Sequence, residues 1–267
     1  MNDKELIEAC LNGNKQSLEK LIVSIQDFIY NLSIRFLWNP MDAEDATQEI
    51  LIKIITNLSK YDGKSQFKTW SYRVATNYLL QQKKQTTFEK TLISFDSFSA
   101  DIKSTKEPVS YELPDRKILE KEMKTGCTLA MLQCLTKDLR IVFILGSILK
   151  IRSNIACEIV GTSPENFRKR LQKARKLIGS FLDFNCGIYN SNNKCRCNKR
   201  INIALGNDII VKNDLKFVDT IETYNEEMEE LNSMTGIYQN HGNFSSKVDF
   251  LNQLNQVIST KKIFKYN

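Results

Sequence analysis

The sequence predicts an all-α protein with two small helical domains joined by a flexible linker and followed by a mainly helical C-terminal extension. Only four prolines and ten glycines occur among 267 residues, so long stretches lack residues that break helices. Apolar residues recur at spacings of three and four in residues 3–84 and 117–184, as on one face of a helix. Residues 86–116 are rich in Ser and Thr and lack this spacing. We therefore expect domains at residues 1–85 and 117–184, a linker at 86–116 and an extension at 185–267.

The first domain is expected to contain several amphipathic helices, with breaks at "WNPMDAED" and "KYDGKSQ". Asp42 is placed to cap the helix that carries "AEDATQEILIKIITNL". The apolar stripe of that helix has four-residue spacing and consists of Ile50, Ile54 and Leu58. A following helix, "FKTWSYRVATNYLLQQKK", carries along one side Trp70, Val74 and Asn77 or Tyr78. The stripes predict that these helices pack against one another.

The second domain is expected to end in a helix-turn-helix. Ser163 can cap a helix that begins at Pro164, and Gly161 supplies the left-handed backbone of the preceding turn. The apolar stripe of this helix consists of Phe167, Leu171, Ala174 and Ile178. Around the stripe, residues 164–176 carry six cations and one anion. Upstream, "LTKDLRIVFILGSILKI" predicts a further helix with an apolar side formed by Leu139, Val142, Phe143 and Leu149. The pattern favours DNA binding; the alternative is an ordinary helical hairpin with a solvated basic face.

Composition narrows the class of partner and the compartment. The formal net charge of +7 favours a polyanionic or acidic partner. No apolar run approaches the roughly 20 residues that span a bilayer, and the opening "MNDKELIEACLNGNK" lacks the apolar core of a secretory signal. We expect a cytoplasmic protein without membrane insertion. Seven cysteines, mostly scattered, do not resemble a secreted disulfide framework.

Two segments resemble one protein family. "DAEDATQEILIKIITNLSKYDGKSQFKTWSYRVATNYLLQQKK" resembles the most characteristic segment of bacterial RNA polymerase sigma factors of the extracytoplasmic function (ECF) class, and "LTKDLRIVFILGSILKIRSNIACEIVGTSPENFRKRLQKARKLI" resembles their promoter-reading domain. The resemblance spans residues 5–184. It implies a non-enzymatic initiation factor that binds core RNA polymerase, reads two separated elements of promoter DNA and melts the promoter. An anti-sigma protein is a further expected partner. The alternative is a free-standing helix-turn-helix regulator that binds an operator without polymerase.

In the family, the helix beginning "DAEDATQEI" docks on a coiled coil of the largest polymerase subunit. The resemblance implies that the polymerase-binding residues are Asp45, Gln48, Glu49 and Lys53. Asp45 and Glu49 share a helix face because they lie four residues apart. One alternative is a solvated helix surface. Another is the magnesium site of a nuclease built from Asp42, Asp45 and Glu49, which is disfavoured because no Lys or His is placed beside them as an acid or base.

Promoter melting needs rings that stack on extruded bases and cations that contact phosphates. The segment "KSQFKTWSYRVATN" interleaves both, and the resemblance assigns it to the element upstream of the transcription start. The candidate residues are Lys64, Phe67, Lys68, Trp70, Tyr72, Arg73 and Asn77. The "KYDGKSQ" loop is expected to hold an extruded base. The competing interpretation is strongest for Phe67, Trp70 and Val74, some of which must belong to the core.

The resemblance places the basic helix in the major groove at the minus-thirty-five element, with Phe167 and Leu171 against the "IACEIV" helix. Its N-terminal turn is then nearest the base edges, so the expected base readers are Glu165, Asn166, Arg168 and Lys169. The expected phosphate contacts are Arg170, Lys173, Arg175 and Lys176, and Ser163 completes the set of DNA-contacting residues.

The extension opens with "NCGIYNSNNKCRCNKR", which resembles a Cys-containing extension of a subset of ECF factors. The thiols of Cys186, Cys195 and Cys197 are one ligand short of a closed structural zinc site, and the lone His241 is a distant fourth candidate. Zinc at these cysteines is the single cofactor considered; the alternatives are redox sensing by the thiols and a packed basic extension. The neighbouring cations, Lys194, Arg196, Lys199 and Arg200, are expected to favour thiolate. The acidic residues 219–230 are either solvated or contact the basic surfaces, and we expect the two domains to fold without the extension.

Overall fold

The structure is a computed structural model that describes residues 3–82, 94–104, 109–218, 234–239 and 242–261. Its first domain contains α1 (Asp3–Leu11), α2 (Lys15–Leu37), α3 (Pro40–Thr56), a short 3-10 turn (Leu58–Lys60) and α4 (Phe67–Gln81). Over the described residues the protein is helical without named strands, which confirms the all-α class. None of the described helices is both long and apolar enough to cross a membrane.

Helix α3 begins earlier than its sequence pattern predicts. Asn39 is the N-cap, and its side-chain oxygen accepts hydrogen bonds from the amides of Met41 (2.9 Å) and Asp42 (3.3 Å). Pro40 occupies the first helical position, where its missing N–H costs nothing. The expectation that Asp42 caps this helix is therefore wrong, and its carboxylate lies in the first turn, where it complements the helix dipole.

Helix α4 packs through small and polar residues. Its buried face includes Ser71, Ala75, Thr76 and Leu79, whereas Trp70 and Val74 are only half-buried. Short side chains let α4 approach α2 and α3 closely, so a face without an apolar stripe can still be the inner one. The predicted stripe therefore lies beside the buried face of this helix.

Part of the predicted linker is helical. Helix α5 (Phe95–Ser104) lies against the last helix of the second domain. The rings of Phe95 and Phe98 lie 5.4 and 5.1 Å from the ring of Phe181, and the Ser99 hydroxyl donates to the Asn185 side-chain oxygen at 2.7 Å. The expectation of a flexible linker without helix is wrong for these residues, because two aromatic anchors compensate for the polar composition around them.

The second domain consists of α6 (Arg116–Gln133), α7 (Lys137–Phe143), a π-helical turn (Ile144–Ile148), α8 (Ser153–Val160) and α9 (Pro164–Asn185). The regular helix expected to continue to Leu149 is wrong after Phe143, where the π-helical turn begins. Gly146 lies in this turn, where a Cβ atom would come within 2.8 Å of Leu171 Cδ2 on α9. The absence of a side chain at this position therefore allows the close contact with α9.

The two domains pack on one another and share a hydrophobic core. Arg140 on α7 is buried, and its guanidinium donates to the carbonyl of Phe36 on α2 at 2.8 Å. Helix α4 also lies against α8, where Arg73 Nε donates to the Glu158 carbonyl at 3.1 Å. The described conformation is thus a closed one, in which the first domain contacts the helix-turn-helix.

The extension contains α10 (Cys197–Gly206), α11 (Met234–Gln239) and α12 (Phe250–Lys261). Helix α10 packs on α6, and Glu122 of α6 accepts hydrogen bonds from the backbone amides of residues 216–218 at 2.8–3.3 Å. Extension residues also complete the shared core of the two domains, namely Phe217, Ile237, Tyr238, Phe244, Phe250 and Leu254. The extension thus forms part of the core that the two domains share, and the expectation that the domains fold without it stays a prediction.

Candidate functional site

The outer face of α3 carries the residues expected to bind polymerase. Asp45, Glu49 and Lys53 are exposed and Gln48 is half-buried, whereas Ile50 on the opposite side is fully buried. The Lys53 ammonium lies 5.8 Å from the centre of the Tyr78 ring. Two carboxylates on an exposed helix face form an acidic surface that a basic partner could contact.

The loop between α3 and α4 is ordered by its own polar groups. Gly63 has a φ of 73°, a left-handed backbone that favours glycine. The Lys64 ammonium lies 2.9 Å from the Asp62 carboxylate and lowers the pKa of that group by hydrogen bonding to it. The Tyr61 hydroxyl donates to the Ser65 carbonyl at 2.6 Å. The loop therefore presents an exposed Lys64 in a defined conformation.

Three aromatic rings lie at the base of this loop. The rings of Phe67 and Trp70 are stacked at 5.7 Å, and the Tyr61 ring contacts both, at 5.5 and 5.7 Å. Phe67 is 3% exposed, whereas Trp70 is half-buried. Trp70 therefore keeps part of its side chain accessible at the base of the loop, and the buried Phe67 packs against it.

The structure divides the residues expected to melt the promoter. Lys64, Lys68 and Asn77 are exposed, and Trp70 and Arg73 are half-buried. Phe67 and Tyr72 are buried, so their expected role as DNA contacts is wrong in this conformation. Tyr72 packs instead on the Phe28 ring at 4.6 Å, and the Lys68 ammonium lies 5.2 Å from that same ring.

The basic helix α9 has the features that its sequence predicts. It begins at Pro164, and the Ser163 hydroxyl accepts a hydrogen bond from the Asn166 amide at 3.2 Å. Gly161 has a φ of 66° in the turn. The predicted apolar stripe is buried in full: Phe167, Leu171, Ala174 and Ile178. The expected DNA-contacting residues are all exposed: Ser163, Glu165, Asn166, Arg168, Lys169, Arg170, Lys173, Arg175 and Lys176.

Two of these side chains also have partners within the protein. Lys169 forms an exposed ion pair with Glu165 at 2.8 Å, which contributes little to stability and leaves both groups accessible. Arg175 Nε donates to the Ser147 hydroxyl at 3.0 Å, so this residue joins α9 to the π-helical turn. Arg175 therefore has a positioning role that the sequence pattern does not reveal.

Sequence reasoning missed two further exposed cations beside the helix-turn-helix, Lys150 and Arg152. They immediately precede α8, and Lys150 has a φ of 52°, a backbone conformation that is uncommon for a residue with a side chain. A pair of cations just before a short helix would have indicated this extension of the basic surface.

The extension brings its three cysteines together with a fourth that sequence reasoning missed. Residues 186 and 195 form a β-bridge, Cys197 begins α10, and Cys127 lies on α6, against which α10 packs. Burial raises the pKa of Cys197 and of Cys127, and the neighbouring thiols raise both further. The expectation that nearby cations favour thiolate is therefore wrong for Cys197, because burial outweighs them.

Within the described ranges, no group of three or more His, Cys, Asp or Glu side chains is arranged so that it could hold a metal ion. The cysteines as described therefore do not form a metal site. Asp42, Asp45 and Glu49 likewise do not form a magnesium site. His241 and the acidic residues 219–230 lie outside the described residues. The expectations about them stay predictions.

Three comparisons relate the chain to known proteins. The family model described as Sigma-70 region 2 matches residues 21–89. The RNA polymerase sigma-H factor of Pseudomonas aeruginosa is 26% identical over 190 residues, covering 67% of this chain and 93% of the relative. The ECF RNA polymerase sigma factor SigW of Bacillus subtilis is 33% identical over 79 residues, covering 30% of this chain and 42% of the relative.

The ECF RNA polymerase sigma-E factor of Escherichia coli is 25% identical over 183 residues, covering 67% of this chain and 93% of the relative. Among solved structures, that of CnrH in complex with the cytosolic domain of CnrY matches with a TM-score of 0.50 and 16% identity. The match covers 68% of this chain and 97% of the CnrH-complex chain. At that identity the likeness concerns the fold.

Proposed function

We propose that this chain acts through three surfaces, on α3, α4 and α9, as an RNA polymerase sigma factor of the extracytoplasmic function class. It directs promoter recognition and transcription initiation. Its partners are core RNA polymerase and promoter DNA. The curated relatives are sigma factors, and we propose that this chain likewise carries no enzymatic activity and that polymerase performs the chemistry.

The structure of helix α9 is the main support for this proposal. Its buried stripe fixes the helix on the second domain, and nine candidate DNA-contacting residues face outward around it. A helix held in this way at the end of a helix-turn-helix can enter the major groove, with its N-terminal turn nearest the bases. Arg168 would read base edges, and Lys176 would contact phosphate.

The acidic face of α3 is proposed to dock on polymerase, and Lys64, Lys68, Trp70, Arg73 and Asn77 are proposed to act in promoter melting. CnrH is solved in complex with the cytosolic domain of CnrY; we propose that an anti-sigma protein binds this chain as well. Zinc at Cys186, Cys195 and Cys197 would require these thiols to rearrange, because as described they do not form a metal site; its test is zinc content after purification under reducing conditions.

The test of the polymerase surface is Asp45→Arg. Asp45 is exposed, so charge reversal is expected to leave folding unchanged while it opposes a complementary partner surface. We expect the affinity for core polymerase to fall by roughly tenfold, measured by titration of labelled protein. Glu8→Arg is the matched control, because Glu8 is also an exposed helical carboxylate but lies on α1.

Unchanged affinity for Asp45→Arg, or an equal loss for Glu8→Arg, would contradict docking through α3. If the wild-type chain binds promoter DNA specifically but does not bind polymerase at all, the chain acts as a free-standing regulator instead.

A further inference from the structure

The last described segment of the extension crosses the first domain. We call residues 242–254 the strap. The Phe244 amide donates to Asn31 Oδ1 at 2.8 Å, and Asn31 Nδ2 donates to the Phe244 carbonyl at 2.8 Å. Arg35 Nη2 donates to the Gly242 carbonyl at 2.7 Å. Two side chains of α2 thus recognise the backbone of the strap.

The strap also fills apolar space on the first domain. Phe244, Phe250 and Leu254 are 1%, 3% and 0% exposed. The Phe250 ring lies 6.1 Å from the Tyr30 ring, and the Arg35 guanidinium lies 4.9 Å from the centre of the Phe244 ring. Burial lowers the pKa of Arg35 to about 10. A buried cation and a buried amide that both bond to the strap indicate a built binding surface rather than incidental packing.

The strap runs along the edge of the face proposed to dock on polymerase. The Ser246 hydroxyl donates to Glu44 Oε1 at 3.0 Å, and α12 lies against both α2 and α3. Glu44 directly precedes Asp45 and lies one helical turn before Gln48. A partner that covers Asp45 and Gln48 would therefore meet the strap. This step rests on the proposed function.

Another part of the extension contacts the second domain. Helix α11 lies against α9 and the π-helical turn, and the Tyr238 ring packs edge-on to Phe143 at 5.2 Å. The extension therefore contacts both domains in the closed arrangement. In this arrangement Arg73 of α4 donates a hydrogen bond to the Glu158 carbonyl of α8. A sigma factor that reads two separated promoter elements must bring its two domains to different positions on the DNA.

We propose that the strap is an inhibitor built into the chain. It covers the edge of the α3 face and, together with α11, holds α4 against the helix-turn-helix. Core polymerase displaces the strap when it docks on α3, and the domains then separate. The intact chain consequently binds polymerase more weakly than a chain whose strap is released.

The first test compares two double variants of the full chain. Phe244→Ala with Leu254→Ser removes buried contacts of the strap, whereas Asn243→Ala with Asn252→Ala changes exposed positions of the same segment. We expect the release variant to bind core polymerase about five- to fiftyfold more tightly than the wild type, and the control variant to bind as the wild type does. A folded release variant that binds no more tightly overturns the proposal.

The second test uses the wild-type chain and so does not depend on the folding of a variant. Hydrogen exchange of the Phe244 amide, which bonds to Asn31, is followed by mass spectrometry with and without core polymerase. We expect exchange in residues 242–250 to accelerate at least about tenfold in the complex. Protection that persists in the complex overturns the proposal.

If the wild type, the release variant and the control variant all bind polymerase with the same affinity, the role of the strap is contradicted and the proposed function is not. Failure of all three to bind polymerase, under conditions where another sigma factor binds, overturns the proposed function and the role of the strap together.

Discussion

Tyr72 illustrates how a residue with a functional pattern can be structural. It occurs in a run of alternating cations and rings, yet its side chain is buried against the Phe28 ring. Burial raises the pKa of Tyr72 to about 12, because the charged phenolate would lose its hydration, and the nearby Arg35 only partly offsets this. The phenol is thus a neutral core group in the folded protein.

This raised pKa predicts a specific loss of stability in alkali. Tyr72 has the ordinary pKa of 10.0 in the unfolded chain and a pKa of about 12 in the folded chain. Tyr72 therefore contributes full stability below about pH 10, which is lost as the pH rises toward about 12. Between about pH 9 and about pH 11 the wild type should lose about 1.4 kcal/mol more unfolding free energy than Tyr72→Phe, measured in urea. Equal losses in the two proteins would contradict the assignment.

Helix α9 is proposed to make two kinds of DNA contact along its length. Arg168 lies near its N-terminus and Lys176 two turns later, and both are exposed. Only side chains near the groove-facing end can reach base edges, whereas later cations meet the phosphate backbone.

We expect Arg168→Ala to change which minus-thirty-five sequences are used, at about 1–3 kcal/mol per affected position. Lys176→Ala should weaken all promoters alike and reduce the salt dependence of binding by about one unit. The measurement is transcription from a library of promoter variants at two salt concentrations. Identical profiles for the two variants would exclude the division into base readers and phosphate contacts.

The helices differ in how far their sequences predict them. The start and inner stripe of α9 were predictable, because Ser163, Pro164 and a regular apolar period act locally. The inner face of α4 was not, since Ser71 and Thr76 are polar and only close packing buries them. Helix α5 and the proximity of Cys127 to the extension depend on contacts between distant parts of the chain. Periodicity carries no information about such contacts.

A buried arginine that the sequence pattern did not indicate, Arg140, connects the two domains. Arg140 donates to the carbonyls of Leu132, Gln133 and Leu135 in its own domain and of Phe36 in the other. Its guanidinium also lies 5.1 Å from the centre of the Phe36 ring. One side chain thus satisfies carbonyl groups in both domains, so the domains should unfold as one cooperative unit.

We expect Arg140→Met to lower the unfolding free energy by about 3 kcal/mol, because it leaves buried carbonyls without their donor. Both tryptophans, Trp38 and Trp70, belong to the first domain, whereas Arg140 belongs to the second. Tryptophan fluorescence in urea should therefore show the full shift. Arg170→Met, an exposed change in the second domain, should leave the midpoint unchanged. An unshifted fluorescence transition in Arg140→Met would mean that the domains unfold independently.

The contact between Gly146 and Leu171 has a consequence for how promoters are chosen. Because Gly146 has no Cβ atom, Leu171 of α9 can pack closely against the π-helical turn. This contact sets how far α9 projects from the protein. If α9 enters the major groove as proposed, its tilt there depends on that contact, because base edges are recognised only within narrow limits of distance and angle. We therefore expect a larger side chain at Gly146 to alter the sequence preference proposed for α9, although this residue lies behind the helix.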